Sequence, residues 1–214
     1  MIDIVPAILS YSREDLLSKA SKVEAISPAL HIDIMDGVFV KNRTIGVKDA
    51  LSVRTTKPVE YHLMVSDPLN YIEQLPGGQN SIFEVHIEAA KGKEKEVMGA
   101  VARKNSKLAF VINPSTPAEA LLPLLPALRH VLVMAVVPGI DGQNYMPEVE
   151  GKMALFRQHA PGIIIEVDGG IKPDTIQRAV AAGANRLAAA SALFGAPDPA
   201  EAYRKLHAIA NNLM

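Results

Sequence analysis

The stretch Ala29–Asn42, ALHIDIMDGVFVKN, sets His31, Asp33 and Met35 two residues apart. In a β-strand that spacing puts three side chains on one face. An imidazole, a carboxylate and a thioether then project together, just ahead of the turn at Asp36-Gly37. A carboxylate in an apolar strand needs a partner, and beside an imidazole that partner is often a metal ion. The alternative is a hydrogen-bonded structural pair at a strand end. What separates the two lies further along the chain.

Working outward, seven more short apolar runs join this one. They are Ile2–Leu9, Val59–Val65, Ile82–Ile87, Leu108–Ile112, His130–Val137, Ile163–Val167 and Leu187–Ala190. Several are almost continuously apolar, as parallel strands buried on both faces are. Helix-start chemistry lies between them: Ser12 with Asp15, Asp67-Pro68, Thr116-Pro117 with Glu119 at N3, Pro173 with Gly183 as a stop, and Asp198-Pro199 with Glu201 at N3. The runs at Pro76–Gly78 and Leu121–Leu128 read as loops or short helices. Eight strands alternating with helices predict an α/β fold, a single (β/α)8 TIM barrel spanning residues 1–214 as one domain, with a doubly wound open sheet as the alternative.

Composition narrows the function. The chain has 214 residues, 49% hydrophobic and 21% charged, with a formal net charge of −1. That balance carries no electrostatic footprint for nucleic acid or an anionic membrane. No cysteine is present, which excludes disulfides, thiol nucleophiles and Cys-ligated metal. The N-terminal MIDIVPAILSYSRED has no basic leader segment, and no apolar run approaches membrane-spanning length. A cytoplasmic protein is expected.

In a barrel the active site lies at the C-terminal ends of the strands. Four residues there form a candidate ligand set: His31, Asp33, His62 and Asp168. Two imidazoles and two carboxylates suit one divalent metal ion, zinc or else iron, manganese or cobalt. Met35, Met64 and Met134 also fall at strand ends and would form an apolar lid. His86 reads as a core or supporting residue. Two loops resemble an anion cradle: Gly169-Gly170 after the seventh strand, and Ala188–Ala192 with Ala190 and Ser191 after the eighth. A third, Pro138–Gln143 with Gly139 and Gly142, follows the sixth. These methionines, glycines, Ala190 and Ser191 are the expected substrate-binding residues.

Seven segments then resemble the ribulose-phosphate 3-epimerase family: PAILS at Pro6–Ser10, HIDIMDGVFVKN at His31–Asn42, HLM at His62–Met64, NPSTP at Asn113–Pro117, VMAVVPGIDGQNYMP at Val133–Pro147, EVDGGIKPDTI at Glu166–Ile176 and AGANRLAAASALF at Ala182–Phe194. The resemblance is collinear over nearly the whole chain. It implies an isomerase that interconverts ribulose 5-phosphate and xylulose 5-phosphate. It also implies a divalent ion on the residues matching His31, Asp33, His62 and Asp168, and acid/base roles for Asp33 and Asp168. Epimerising C3 removes a proton on one face and returns one on the other, which calls for two bases on opposite sides. A homo-oligomer is expected, as is usual in the family.

The chain departs from the family pattern in three places. Ala7 stands where the family has Ser, Ile140-Asp141 interrupt a Gly-rich loop, and Ala190 replaces Gly. These keep other readings open: an epimerase of a related ketose phosphate such as allulose 6-phosphate, a non-catalytic phosphosugar-binding barrel, or a lyase of the same architecture using a lysine, for which Lys41 is the nearest.

Overall fold

Alternation along each strand decides the architecture. Odd and even positions of the apolar runs face opposite ways, and both faces are buried. The computed structural model describes residues 1–140 and 142–212. Its strands are β1 (Asp3–Ile8), β2 (Leu30–Met35), β3 (Val59–Met64), β4 (Ser81–His86), β5 (Lys107–Ile112), β6 (His130–Met134), β7 (Ile164–Asp168) and β8 (Arg186–Ala189). They pair in parallel in chain order, and β8 returns to β1 to close the barrel. The expected (β/α)8 barrel is therefore what the sequence forms.

Outward-facing residues such as Ile32, Leu63, Phe83, Phe110 and Ile165 pack under the surrounding helices. Those helices are α1 (Arg13–Val23), α2 (Val47–Ala50), α3 (Pro68–Gln74), α4 (Glu94–Arg103), α5 (Glu150–His159), α6 (Ile176–Ala181), α7 (Ser191–Phe194) and α8 (Pro199–Ala210). Leu16, Ile72, Val97, Phe156 and Leu206 supply their buried stripes. No helix among the described residues is long and apolar enough to cross a membrane.

Local chemistry departs from expectation in four places. Ser12 caps α1 and Asp198 caps α8 through their side chains, but Asp67 makes no side-chain cap bond to α3. Thr116 does not cap a helix with Glu119. Its hydroxyl donates to Glu88 instead, and only short 3-10 turns form, at Ala118–Ala120 and Leu125–Ala127. Pro117, Pro123 and Pro126 remove the N–H groups a longer helix needs. α6 begins at Ile176 rather than Pro173, because the Thr175 hydroxyl accepts from Lys172 N and donates to Gly170 O, closing a turn first. β6 stops at Met134, after which Ala135 N donates to Asp168 O and Met146 N donates to Ala135 O. That pair of bonds ties the β6 loop to the end of β7.

Candidate active site and metal centre

The inward faces of β2, β3 and β7 converge at the C-terminal mouth. Asp33 and His62 are register partners on β2 and β3. His31 Nε2 lies 3.3 Å from Asp33 Oδ1 and 3.2 Å from His62 Nδ1. His62 Nδ1 lies 2.8 Å from Asp33 Oδ1 and 3.6 Å from Asp168 Oδ2, which comes from across the barrel. One ligand atom from each of the four residues falls within 4.8 Å of the others. A tetrahedron of metal bonds of about 2.0–2.2 Å has edges of roughly 3.3–3.6 Å. Two imidazole nitrogens facing each other among carboxylate oxygens, at nearly those spacings, fit one small divalent cation.

The far sides of both histidines are occupied. His31 Nδ1 faces Glu84 Oε2 at 3.1 Å. His62 Nε2 lies 3.0 Å from His86 Nε2, and His86 Nδ1 lies 3.5 Å from Glu88 Oε2. Glu88 Oε1 in turn accepts from Asn113 N at 3.0 Å and from the Thr116 hydroxyl. Burial pushes the His86 imidazole down to about 4 despite the nearby Glu88 carboxylate. A neutral His86 accepts the His62 Nε2–H and leaves Nδ1 of His62 turned to the site. His86 thus supports the site from behind and stays outside the ligand set.

The two aspartates differ sharply. Burial works to raise the Asp33 carboxyl, but hydrogen bonds and charge from His31 and His62 outweigh it and hold Asp33 well below the usual carboxylate range. Burial raises Asp168 as well, and the Asp33 charge adds to it, so Asp168 is pushed up to about 6. Paired carboxylates pushed apart in this way can take distinct acid and base roles.

Above the candidate ligand set opens a narrow cleft with a volume of about 50 Å³. Asp33 and Asp168 line it, whereas His31 and His62 are fully buried beneath. The structure also brings Met35, Met64, Met134, Gly139, Gly142, Gly169, Gly170, Ala190 and Ser191 to the walls of this one cleft. Gly169 and Gly170 have φ of +113° and +66°, and a Cβ at Gly169 would meet Val136 Cγ2 at 2.5 Å. A Cβ at Gly170 would strike the Tyr145 backbone. Close packing of the β6 loop therefore demands these glycines, independently of any anion. Gln143 Nε2 braces that loop through Val137 O and Ile140 O. Ala7 is buried and in register with His31. Asp141 lies outside the described residues. Lys41 is exposed and lines a neighbouring groove with Phe39 and Asn113, not the cleft that Asp33 lines.

Sequence reasoning missed a lower polar layer along the barrel axis. Glu60, Glu84, His130 and Arg186 are all buried there, together with Glu166. A signal for it exists: Glu60 and Glu84 stand two residues before His62 and His86, so they share the inward face.

A profile of the ribulose-phosphate 3 epimerase family matches residues 3–194. The chain is 39% identical over 204 residues to the cytoplasmic isoform of ribulose-phosphate 3-epimerase from Oryza sativa subsp. japonica, covering 92% of this chain and 90% of the relative. It is 37% identical over 212 residues to ribulose-phosphate 3-epimerase from Synechocystis sp., covering 94% and 91%. Among solved structures, 3-hexulose-6-phosphate synthase from Salmonella typhimurium superposes with a TM-score of 0.71 at 15% identity over 100% of both chains. At that identity the last likeness concerns the fold alone.

Proposed function

The chain belongs to the ribulose-phosphate 3-epimerase family, and from that premise we propose that it is an isomerase interconverting D-ribulose 5-phosphate and D-xylulose 5-phosphate by two-base proton transfer at C3. The observation that carries this reading is the meeting of Asp33 and Asp168 in one cleft, from β2 and β7, which β1 and β8 separate in the closed barrel, with ligand oxygens no more than 4.8 Å apart. One aspartate takes the C3 proton from one face of the substrate, and the other returns a proton to the opposite face. Reversal exchanges the two roles.

His31, Asp33, His62 and Asp168 would hold a divalent ion, since their donor atoms and spacing fit one. When bound, that ion supplies positive charge next to the two substrate oxygens that become negative as the proton leaves. Met35, Met64 and Met134 cover the reacting carbon with apolar surface and keep water away from it. The Gly169-Gly170 and Ala190-Ser191 loops, which line the cleft, would hold the phosphate. The exposure of Lys41 and its absence from the lining of the cleft speak against a lysine-dependent lyase. A cytoplasmic homo-oligomer is the proposed working form, on the family resemblance and the printed name of the rice relative.

The test is incubation of metal-loaded protein with ribulose 5-phosphate, and separately with allulose 6-phosphate, in deuterium oxide. Deuterium at C3 together with the 3-epimer is expected, with the pentose phosphate turned over faster. Absence of label from both sugars would reduce the protein to a phosphosugar-binding barrel. Faster turnover of the hexose phosphate would reassign the substrate.

A further inference from the structure

The lower polar layer gives His31 a second role to fill. An imidazole that offers Nε2 to an ion must carry its one proton on Nδ1, and a buried Nδ1–H needs an acceptor. Three carboxylates surround that atom. Glu84 Oε2 is nearest at 3.1 Å, with Glu60 Oε2 at 3.5 Å and Glu166 Oε1 at 3.7 Å. All three side chains are fully buried. Three carboxylates without water are costly unless a cation compensates them.

Arg186 on β8 supplies that cation. Its guanidinium lies 2.5 Å from Glu60 Oε1 and 3.3 Å from Glu166 Oε2. His130 Nε2 adds a contact of 2.8 Å to Glu166 Oε2. Arg186 holds Glu60 Oε1 and Glu166 Oε2, while Glu60 Oε2 and Glu166 Oε1 stay turned toward His31 Nδ1. Glu60 and Glu166 are thus engaged by Arg186, and Glu84 is the carboxylate left over. Among the described residues its one ion-pair partner is His31 Nδ1.

We propose that Glu84 is a positioning residue for the ion site: it takes the Nδ1–H of His31 and so fixes the ring with Nε2 bare and turned toward Asp33 and His62. Glu84 acts through His31 and touches neither substrate nor ion. The inference rests on the metal reading given above. In Glu84→Leu, divalent-ion affinity, measured for zinc against a chelator, is expected to fall roughly 10–100-fold. Glu84→Gln, which keeps an acceptor oxygen, should lose less. The visible spectrum of the cobalt-loaded protein should shift in Glu84→Leu, and kcat should recover at saturating metal.

A Glu84→Leu protein that binds zinc within twofold of the parent, with an unchanged cobalt spectrum, would overturn the proposal whatever happens to its thermal stability. If Glu84→Leu fails to fold, Glu84→Met, of similar length but without an acceptor oxygen, decides: weakened zinc binding supports the role and unchanged binding overturns it. A parent protein that holds no zinc would take down the metal reading and this inference together. Equal binding by parent and variants would take down this inference alone.

Discussion

Replacing Asp168 by Asn tests the two-base reading most directly. Asn is isosteric and keeps one oxygen for an ion, but it cannot carry a proton at neutral pH. Loss of one positioned base costs roughly 10²–10⁴ in rate, or about 2.7–5.5 kcal/mol of barrel-mouth catalysis. The change also removes a negative charge whose ligand oxygen sits within 4.8 Å of Asp33. At an effective dielectric of about 20, two charges at that separation repel by about 3.5 kcal/mol. Asp33 is already held low by His31 and His62, and without its neighbour's charge it becomes a weaker base still. The assay follows deuterium entry at C3 from each epimer separately, with metal content measured in the same samples. Net epimerisation should fall at least a hundredfold. Exchange should survive, slowed, from the one epimer whose proton Asp33 removes, and vanish from the other. Symmetrical exchange from both epimers, or a loss of turnover below about tenfold in the metal-loaded variant, would refute the two-base argument.

Other outcomes follow from neighbouring features. Burial works to raise Glu88, but bonds from His86, Thr116 and Asn113 pull it from 4.5 down to about 2. Its stabilising contribution is complete above pH 4.5 and is lost as pH falls toward 2. Discounted for partial exposure, it is worth about 1–2 kcal/mol, so Glu88→Gln should flatten the acid limb of a urea-stability curve over that window. Removing metal with a chelator should abolish turnover and lower the melting temperature. At a thousandfold excess of ion over its Kd, the stabilisation lost is about 4 kcal/mol, and adding back divalent ion should restore both. Gly169→Ala forces a side chain into positive φ and against Val136 and should cost about 1–3 kcal/mol of unfolding free energy. Gly151→Ala, in α5 with open space around it, should stabilise by about 0.5 kcal/mol and serves as its control.

Strand alternation made the barrel and the upper site legible. HIDIM and EVD each carry polar residues at alternate positions in apolar runs, and HLM sets His62 two before Met64, and no packing detail was needed to put those residues on one face. The lower layer escaped because its charges look unremarkable one at a time. Glu60 and Arg186 are 126 positions apart in the chain, and only closure of β8 onto β1 brings them into contact. The false cap at Thr116 has a similar cause. Its hydroxyl was spoken for by Glu88, a long-range partner that local spacing cannot reveal. The double glycine illustrates a subtler limit. Sequence position suggested a phosphate cradle, yet Val136 and Tyr145 already require glycine at both positions, so residue identity there carries no information about a ligand.

The division of labour among the four proposed ligands follows from how many atoms each has left to use. An imidazole has two nitrogens. His31 commits one to the site and turns the other to Glu84, and His62 does the same with His86. Both rings are fully buried, so neither has a nitrogen free for the substrate. A carboxylate has two oxygens with several lone pairs. Asp33 places Oδ1 against both histidines and Asp168 places Oδ2 toward His62, while both residues also line the cleft. Only the aspartates can therefore face the ion and the reacting carbon together. In the proposed mechanism proton transfer falls to them because of this geometry, and the histidines would serve only to hold the ion.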